Sequence, residues 1–541
     1  MAKQIKTAII AAIVVFAIAS IPGMSGFLLG SAIEMAVTTF VGTLAAGIVG
    51  KMTSKGLEAN NANFGTKVTR REPIAPRQLI YGQTRVGGTF VHMETTGTDN
   101  FLLHTVIAIA GHEIEELVNM RFNDKDLTTS TSTINGSTVH TVTNSDFTNT
   151  ENQNNFGSGR LMRFTISDGS QTAVDGYMNA RLNSMGTSDK FLGIAYVYIE
   201  MIYDTEKFGS GIPAISFLVK GKKVYDPRSN ATAWSDNPAL CIRDYLSNTQ
   251  YGIKAKTTEL NDTTNAGGFA SAANTCDQNV TLADGSTTEK RYTANGFTNF
   301  SATGQGILEG LLSSMAGKMS YVNGQFNVFA GASQTPALTI TDDELLAPVS
   351  IRTHANSGEL YNTVKPIYVD STEGYVAADA PVFQDSTFLN EDTPSGESTA
   401  NYIKQMETQL PYTVTSTMAQ RLGRIGLRSQ RQSTTISCLV SLEFMRCQPM
   451  DWVYVTNERL GYSQKIFEVV STNMETTADG DVPIMATALE LKEVAASVFN
   501  FATNNYTTGQ SEGSDVGTGT YAVTAPSNLA LAQQTNKEGV T

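Results

Sequence analysis

The chain has 541 residues, with 38 Lys and Arg against 51 Asp and Glu and a net charge of −13. This length predicts three or four domains with ample core. Because 41% of the residues are apolar and only 16% are charged, the composition excludes a disordered chain and a polybasic protein that binds phosphates by charge alone. The cysteines form no C-x-x-C pair, so neither a zinc ribbon nor a dithiol redox site is indicated. They are Cys241, Cys276, Cys438 and Cys447.

Residues 7–50 are apolar and carry one charge, Glu34, and we predict an apolar helical segment over residues 1–61. No residue from Thr7 to Ile33 is charged. A helix over residues 7–21 would be only ~22 Å long before Pro22-Gly23, which is shorter than the ~30 Å hydrocarbon core of a bilayer. Three interpretations remain: a cleaved signal peptide, a membrane span, or a helix buried in an assembly.

A second apolar stretch, residues 27–50, carries small residues at intervals of four. They are Gly42, Ala46 and Gly50. On a helix these residues form one stripe where another helix can approach closely. We therefore predict a helical hairpin or two packed helices that associate within a membrane or within a protein sheath.

Beyond residue 61 the alternation of apolar residues predicts strands. Residues 78–95, 101–110 and 114–122 read as three consecutive strands of a β-meander. Residues 128–160 are almost wholly Thr, Ser, Asn and Gly, which predicts a long exposed polar insertion. Residues 191–203 are apolar on both faces, as expected for a strand buried on both sides.

Helix signals appear in the middle of the chain. Residues 215–224 predict a hairpin, and Ser235-Asp236-Asn237-Pro238 then provides polar caps with proline at an early helical position. A second helix begins at Thr303, and Asn323-Gly324 between alternating runs predicts a tight hairpin. We therefore expect a compact α+β unit here.

Strands dominate again from about 349 to 499, interrupted by one helix over residues 416–430. Four arginines of that helix recur at intervals of three, four and three: Arg421, Arg424, Arg428 and Arg431. This spacing places them in one stripe on the outside of the helix. Two interpretations compete, a solvated helix face and an intersubunit ion-pair face.

Two histidines and a glutamate form the best candidate for a metal site. If the first hairpin turns symmetrically about Thr98, His92 faces His104 and Glu94 shares a face with His92. Imidazole and carboxylate groups are ligands of divalent metals. The competing interpretation is a pair of half-buried structural histidines, and we expect no bound metal.

No other pattern assembles catalytic residues. The chain has no Gly-x-Ser-x-Gly elbow and no P-loop lysine motif. His112-Glu113 lacks the second histidine of a zinc-protease helix, and Gly304-x-Gly306 misses the dinucleotide-binding spacing. We therefore expect no cofactor and no enzymatic activity.

Many short stretches between about residues 72 and 500 resemble, in order, the central tail-hub or tail-tip family of long-tailed bacteriophages. They include 80–88, 109–115, 220–228 and 234–239. The motif positions within them are Tyr81, Gly82, Arg85, Gly87, Gly88, Asp226, Pro227, Trp234 and Pro238. The sequence departs from the family pattern at Pro449-Met450-Asp451, where glycine is expected between proline and aspartate.

The resemblance implies a structural virion protein at the distal tip of the tail. In this family three copies close a sixfold tail tube, and each copy supplies two tube-like β domains. The implied partners are two further copies in a homotrimer, distal tail and tail-tube proteins, and fibre or receptor-binding proteins. DNA would pass through an acidic lumen without specific binding, and the host membrane would be met during ejection.

We therefore predict a mainly β fold with an α+β insert, two tube-like β domains and an apolar helical N-terminus. The predicted units are an apolar lumen plug or membrane-inserting segment at 1–61, a first hub domain at 62–230 with its polar insertion at 128–160, an α+β insert at 231–339, a second hub domain at 340–500, and a linker with the start of a distal module at 501–541.

Two other functions compete with a tail hub. A membrane-anchored bacterial adhesin or secretion component is favoured mainly by the apolar N-terminus. A tail-associated cell-wall hydrolase is the weakest of the three, because no acid, base, nucleophile or metal set emerges. The ordered family resemblance favours the hub, which would plug the tube and open for genome ejection on host contact.

Overall fold

The computed structural model describes residues 75–500, except 210, 283, 354–359 and 480–481. Within this part the chain is mainly β with several helices, as predicted. The apolar stripe of Gly42, Ala46 and Gly50 lies outside the described residues, as does everything after residue 500.

Most strands in the first part of the described chain form two antiparallel sheets. Its elements are β1 (Gln78–Tyr81), β2 (Gln83–Val86), β3 (Thr89–Thr96), β4 (Leu102–Ala110), β5 (Glu116–Phe122), β6 (Lys125–Asp126), β7 (Thr129–Ile134), β8 (Ser137–Val142), β9 (Met162–Ser167), α1 (Gly176–Asn179), β10 (Ala195–Ile202), β11 (Ile215–Lys220), β12 (Lys223–Asp226) and β13 (Ala231–Trp234). A six-stranded sheet has the order β3-β4-β10-β9-β8-β7, and a four-stranded sheet has the order β2-β11-β5-β6. Outside these sheets, β12 pairs with β13, and β1 pairs with a strand of the middle part. All eight residues of β10 are buried, which confirms a strand covered on both faces.

Two local predictions for this part are wrong, and a third, the polar insertion at 128–160, contains strands that its composition did not indicate. The third strand of the supposed meander, β5, leaves the sheet of β3 and β4 and pairs with β11. Strands β11 and β12 follow one another but belong to different sheets, so they form no hairpin. Residues 128–160 include the hairpin of β7 and β8, in which β8 pairs with β9 and extends the larger sheet. Threonine favours strands, and β7 lies at the exposed edge of the sheet, where polar side chains can face water. A polar composition therefore did not exclude strands here.

The middle part is the α+β unit that the sequence predicts. Its elements are α2 (Pro238–Ser247), α3 (Phe269–Cys276), β14 (Asn279–Thr281), β15 (Thr288–Lys290), β16 (Gly296–Asn299), α4 (Gly304–Ser313), β17 (Lys318–Val322) and β18 (Gln325–Phe329). The Asn237 side chain caps α2 by accepting from the amide of Ala239, and Thr303 caps α4 in the same way. Asn323 and Gly324 have φ values of 53° and 78°, the positive values that a two-residue hairpin turn requires.

The last part repeats the pattern of one large and one small sheet. Its elements are β19 (Leu338–Ile340), β20 (Ser350–Arg352), β21 (Thr363–Asp370), β22 (Val376–Asp379), β23 (Phe383–Gln384), α5 (Ser386–Asp392), β24 (Gln405–Leu410), α6 (Ser416–Arg431), β25 (Thr435–Ser441), β26 (Trp452–Asn457), β27 (Tyr462–Asp479) and β28 (Val482–Glu493). The six-stranded sheet has the order β19-β26-β27-β28-β25-β20, and β21 lies between β24 on one side and β22 and β23 on the other.

One apolar core joins all three parts. It contains Leu79 and Tyr81 from the first part, apolar residues of helices α2, α3 and α4 from the middle part, and Tyr412 and Met418 from the last part. Separate cores lie inside the two β regions. The junction between the parts is therefore a packed interior and not a surface contact.

Candidate functional site

The motif Tyr81-Gly82 lies where the first and middle parts of the chain pair. Strand β1 pairs with β16, which places Tyr81 opposite Gly296. Gly82 follows with φ +62°, and a Cβ atom there would lie 2.2 Å from the carbonyl oxygen of Ala294. Both the backbone conformation and the close approach require glycine.

Tyr81 links β1 to helix α2 through a carboxylate. Its hydroxyl donates to Asp244 Oδ2 at 2.7 Å, and the Tyr251 hydroxyl donates to the same oxygen at 2.9 Å. Burial raises the pKa of Asp244 above its usual range and raises the pKa of both tyrosines. Two hydroxyl donors compensate the buried carboxyl group, so this arrangement fixes the position of α2 against β1.

Tyr412 brings the last part of the chain to the same junction. Its ring packs so closely on β16 and α4 that a Cβ atom at Gly296 or Gly310 would lie 2.8 Å from a ring carbon. Its carbonyl oxygen accepts from the amide of Asn295 at 2.8 Å. The three parts are thus interlocked around a strand pair of four residues.

The motif residues near 226–238 support the same junction. The indole Nε1 of Trp234 donates to the carbonyl oxygen of Gly82 at 3.3 Å. Asp226 accepts from the amide and from Nε of Arg228 at 2.9 and 3.0 Å, which closes the turn that contains Pro227. Pro238 is the first residue of α2, where its missing amide hydrogen is not needed.

The remaining motif residues lie in β2 and in the connection from β2 to β3. Arg85 is 3% exposed, and its Nη1 donates to Ser216 Oγ at 3.4 Å. Burial lowers the pKa of its guanidinium group. Gly87 and Gly88 connect the two strands, and a Cβ atom at Gly88 would lie 2.2 Å from Cγ2 of Ile107. These residues set how the small sheet packs on the large one.

The arginine stripe of α6 packs largely against its own chain, so it is not a fully solvated helix face, and the intersubunit ion-pair face stays a prediction. Arg421 is fully buried, and its Nη2 donates to Glu289 Oε1 at 2.7 Å and to the carbonyl oxygen of Arg291 at 3.0 Å. Arg424 is 6% exposed and its guanidinium lies 4.1 Å from the centroid of the Phe383 ring. Helical spacing groups the arginines on one face but does not determine what covers that face.

The two remaining arginines of α6 bind acidic residues of α5 and its N-cap. Arg431 Nη1 donates to Asp392 Oδ1 at 3.0 Å, and its Nε donates to the carbonyl oxygen of Tyr361 at 2.7 Å. Arg428 Nε lies 3.6 Å from Asp385 Oδ2. The stripe therefore ties α6 to neighbouring elements of the same chain.

The proposed histidine pair does not form, because the first hairpin turns one residue later than expected. Glu94 lies opposite His104 and His92 lies opposite Val106, so the turn is centred on Asp99. Asp99 has φ +58°, a conformation that aspartate tolerates better than most residues.

The contacts of His104 leave no free nitrogen for a metal. Its Nε2 lies 2.7 Å from the hydroxyl of Thr96, and its Nδ1 lies 2.7 Å from the hydroxyl of Tyr198. Burial opposes ionisation of the Glu94 carboxyl group. Hydrogen bonds from Ser184 and Asn183 outweigh this effect and lower the pKa of Glu94 to about 2. In the described part of the chain, no three His, Cys, Asp or Glu side chains cluster closely enough to hold a metal ion.

The cysteines are buried thiols with raised pKa values. Burial raises the pKa of Cys438 to about 12 and that of Cys447 to about 11, and it also raises the pKa of Cys241 and Cys276. Such thiols are poor nucleophiles because the thiolate is the reactive form.

Among the described residues, no helix is long and apolar enough to cross a membrane.

Three important residues of the junction were not identified from the sequence. Asp244, Tyr251 and Tyr412 are single polar or aromatic residues without a local motif. Asp244 binds Tyr81 and Tyr412 binds Asn295, each more than a hundred positions away, and Tyr251 binds Asp244. A signal of a different kind came from the departure at Met450, which is not one of these three residues: its φ is +81°, a value that favours glycine.

Comparison with known proteins finds similarity to phage tail proteins. A family model described as a putative phage tail protein matches residues 303–472. The tip attachment protein J of Escherichia phage SECphi27 is 25% identical over 266 residues, which cover 46% of this chain and 21% of the relative. The baseplate hub protein pb3 of Escherichia phage T5 is 21% identical over 472 residues, which cover 78% of this chain and 48% of the relative.

The chain thus spans about a fifth of the length of the tip attachment protein and about half of the length of the baseplate hub protein. Among solved structures, a chain of the virion of a native gene transfer agent particle has a similar fold. The TM-score is 0.51 at 14% identity, and the match covers 88% of this chain and 98% of that chain. The predicted family resemblance, mainly β fold and virion location are confirmed. The chain is thus similar to phage tail proteins, among them a tip attachment protein and a baseplate hub protein, and this similarity agrees with a location at the tail tip of a virion.

Proposed function

We propose that the chain is the structural hub of the tail tip, and that it acts as a homotrimer. Three copies close the end of the tail tube, organise the attachment of fibre or receptor-binding proteins, and open for genome ejection on host contact. The names of the two relatives, a tip attachment protein and a baseplate hub protein, support this role.

The observation that carries the proposal is the repeated sheet architecture of the two β regions. Each region contains a six-stranded sheet and a four-stranded sheet, although the strand orders differ. Two similar β units in each of three chains supply six units, which match the sixfold symmetry of a tail tube. We assign these units to residues 62–230 and 340–500, with the α+β unit 231–339 as the insert.

The α+β unit acts in this proposal as a rigid spacer. The common core and the interlocked contacts of Tyr81 and Tyr412 fix the two β units at a set angle to each other. A ring of three chains closes only if that angle is the same in every copy. The motif residues would therefore serve assembly and not chemistry, and we propose a structural role without catalysis.

The remaining parts of the proposal concern partners along the tube axis. The net charge of −13 favours a lumen through which DNA slides without binding. Residues 1–61 would plug this lumen or insert into the host membrane, and residues 501–541 would begin a distal module. Distal tail and tube proteins would bind the two faces of the ring.

Electron microscopy of the intact particle tests this function. We expect three copies of the chain in a threefold density that caps the tube, and quantitative mass spectrometry of purified particles should give half as many copies as subunits in one tube ring. Six copies per particle, or a location along the tail shaft, would refute the hub.

A further inference from the structure

An apolar cavity opens at the surface of the six-stranded sheet of the last part. Its volume is about 290 Å³, and part of this space is continuous with solvent. Its walls are apolar side chains of three strands and of the connection from β19 to β20: Ile436, Cys438, Val455, Leu491, Leu345 and Val349. Side chains around such a gap lack partner atoms on one side, so a small apolar group is stabilised there.

The cavity lies on the face of the sheet that points away from the middle part of the chain. Glu468 in β27 marks the opposite face, because its carboxylate accepts from Lys318 Nζ of the middle part at 2.7 Å. Phe467, its neighbour in the strand, points to the other side. Phe467 packs in one core cluster with the cavity residues Val455 and Leu491. The six-stranded sheet therefore separates the cavity from the α+β unit.

Carboxylates lie beside the mouth of the cavity. They are Asp342, Asp343, Glu344 and Glu458. The first three follow one another between the lining residues Thr341 and Leu345. The lining residue Asn457 donates from its side chain to Asp342, and the amide of Glu458 donates to Asp342 Oδ2 at 3.3 Å. None of the four carboxylates forms a salt bridge with a Lys or Arg of the described ranges. With Arg459, the neighbouring cation, the mouth carries a net charge of −3.

The chain also contains a short basic segment that complements this mouth. Residues 67–71, Lys67-Val68-Thr69-Arg70-Arg71, lie outside the described residues and carry three cations and no anion. No other stretch of five residues outside the described part has as many cations. Val68 lies among them and is a small apolar residue. The net charge of +3 opposes the −3 of the mouth, so this segment complements both the cavity and its carboxylates.

The length of the chain indicates that the segment comes from a neighbouring copy. Seven residues lead from Val68 to Ala75, where the described part begins, so they span at most ~25 Å. Strand β1 starts at Gln78, opposite Asn299 near the beginning of α4. The ten residues of α4 separate this point from Lys318 by ~15 Å, and crossing the sheet adds ~10 Å. A path within one chain must also pass round the sheet edge, so it exceeds the available length.

We propose that the cavity of one copy binds residues 67–71 of a neighbouring copy in the tail-tip ring. Val68 fills the cavity, and the three cations of the segment pair with the carboxylates of the mouth. The buried apolar group anchors the contact, and the exposed charges select and orient the partner. This inference rests on the proposed trimer, in which a cyclic arrangement requires two different surfaces of the chain to meet.

Disulfide crosslinking between two differently tagged, co-expressed copies of the full-length chain tests this contact. One copy carries Val68→Cys and the other carries Thr341→Cys at the mouth, so a bond between them joins two chains of different mass. The native cysteines are buried and give little background. We expect at least about 10-fold more covalent heterodimer after oxidation than with a copy that retains Val68, because docking raises the local thiol concentration. Thr456→Cys, also at the cavity, replaces Thr341→Cys if that variant does not fold.

Charge reversal at the mouth separates a specific contact from chance collision. Asp343→Lys with Glu458→Lys in the Thr341→Cys copy should lower the yield of heterodimer at least about 5-fold, because like charges then face each other. The matched control is Glu151→Lys with Glu206→Lys, which changes the net charge equally at two exposed carboxylates of the first β region. The control should leave the yield unchanged, and circular dichroism confirms folding of every variant.

Native mass spectrometry of the wild-type chain gives the oligomeric state independently of the crosslink. A trimer that gives no heterodimer crosslink overturns the inference and leaves the proposed hub intact. A disulfide that forms only within one chain, when both cysteines are placed in the same copy, also overturns it, as does an equal loss of yield in the control. A wild-type chain that stays monomeric at high concentration overturns the trimer itself.

Discussion

The four arginines of α6 share one face but differ in burial, so their removal should have very different costs. Arg421 is fully buried and binds Glu289, whose side chain is 20% exposed, whereas Arg428 is 29% exposed and lies 3.6 Å from Asp385. Breaking a buried pair costs about 3–5 kcal/mol, and breaking an exposed pair costs about 0–1 kcal/mol.

Arg421→Leu should therefore lower the free energy of unfolding by about 3 kcal/mol, near the lower limit because water reaches the remaining Glu289 carboxylate. Arg428→Leu, the matched control on the same helix, should lower it by less than about 1 kcal/mol. Urea denaturation of the full chain, followed by tryptophan fluorescence and far-ultraviolet circular dichroism, measures both values.

A double-mutant cycle with Glu289→Gln separates the ion pair from the lost packing of the arginine side chain. We expect a coupling energy of about 1–3 kcal/mol between positions 421 and 289. Equal losses for Arg421→Leu and Arg428→Leu, or a coupling energy near zero, would contradict the assignment of Arg421 to the interior.

Three further predictions concern the junction and its surroundings. Gly82→Ala should destabilise the chain by about 3 kcal/mol or more, because the new Cβ would lie 2.2 Å from the carbonyl oxygen of Ala294. The control Gly285→Ala has a positive φ but open space around the new Cβ, so it should cost only about 1 kcal/mol. Equal melting temperatures of the two variants would refute the steric reasoning. Met450 is 1% exposed with φ +81°. Met450→Gly should be less stable than wild type because it loses the buried side chain, yet about 1 kcal/mol more stable than Met450→Ala, which loses the side chain and keeps the backbone strain. The reverse order of these two variants in urea denaturation would show that the backbone is unstrained. Burial lowers the pKa of His112 to about 4, and its Nε2 accepts from the backbone amide of Ile80. As the pH falls from 6.5 to 4, the unfolded chain binds a proton at this histidine while the folded chain does not, so the free energy of unfolding should fall by up to about 3 kcal/mol. His112→Gln should reduce this loss, and an unchanged pH dependence would exclude His112 as its source.

Local patterns predicted those elements whose signals are contained within a few residues. The helix caps at Asn237 and Thr303 and the hairpin turn at Asn323-Gly324 form as expected, because each depends on hydrogen bonds or φ values within one turn. The buried strand at 195–202 was also predictable, since its apolar run reports burial on both faces.

Predictions that depended on distant partners were less successful. Strand β5 alternates as expected, but nothing within it indicates that it pairs with β11 and not with β4. The arginines of α6 are spaced as predicted, yet Glu289, which covers Arg421, is 132 residues away. Sequence spacing establishes which residues share a face, whereas the neighbour of that face is a tertiary property.

The turn at Met450 shows how a departure from a family pattern can carry structural information. The amide of Asp451 donates to the carbonyl oxygen of Gln448 at 3.1 Å, which closes a turn with Pro449 and Met450 at its centre. Proline at the first central position and φ +81° at the second are the features of a type II turn, which favours glycine at the second position. The family glycine is thus explained by the backbone, and this chain keeps the turn without it.

The core that joins the three parts also determines the order in which the chain can fold during synthesis. Leu79 and Tyr81 leave the ribosome more than two hundred residues before β16, and more than three hundred before Tyr412. The first β region can form its own sheets early, but its strand β1 stays uncovered until most of the chain is made. We therefore expect this region to depend on chaperones while the chain grows, and a nascent chain that stalls before residue 296 should be prone to aggregation.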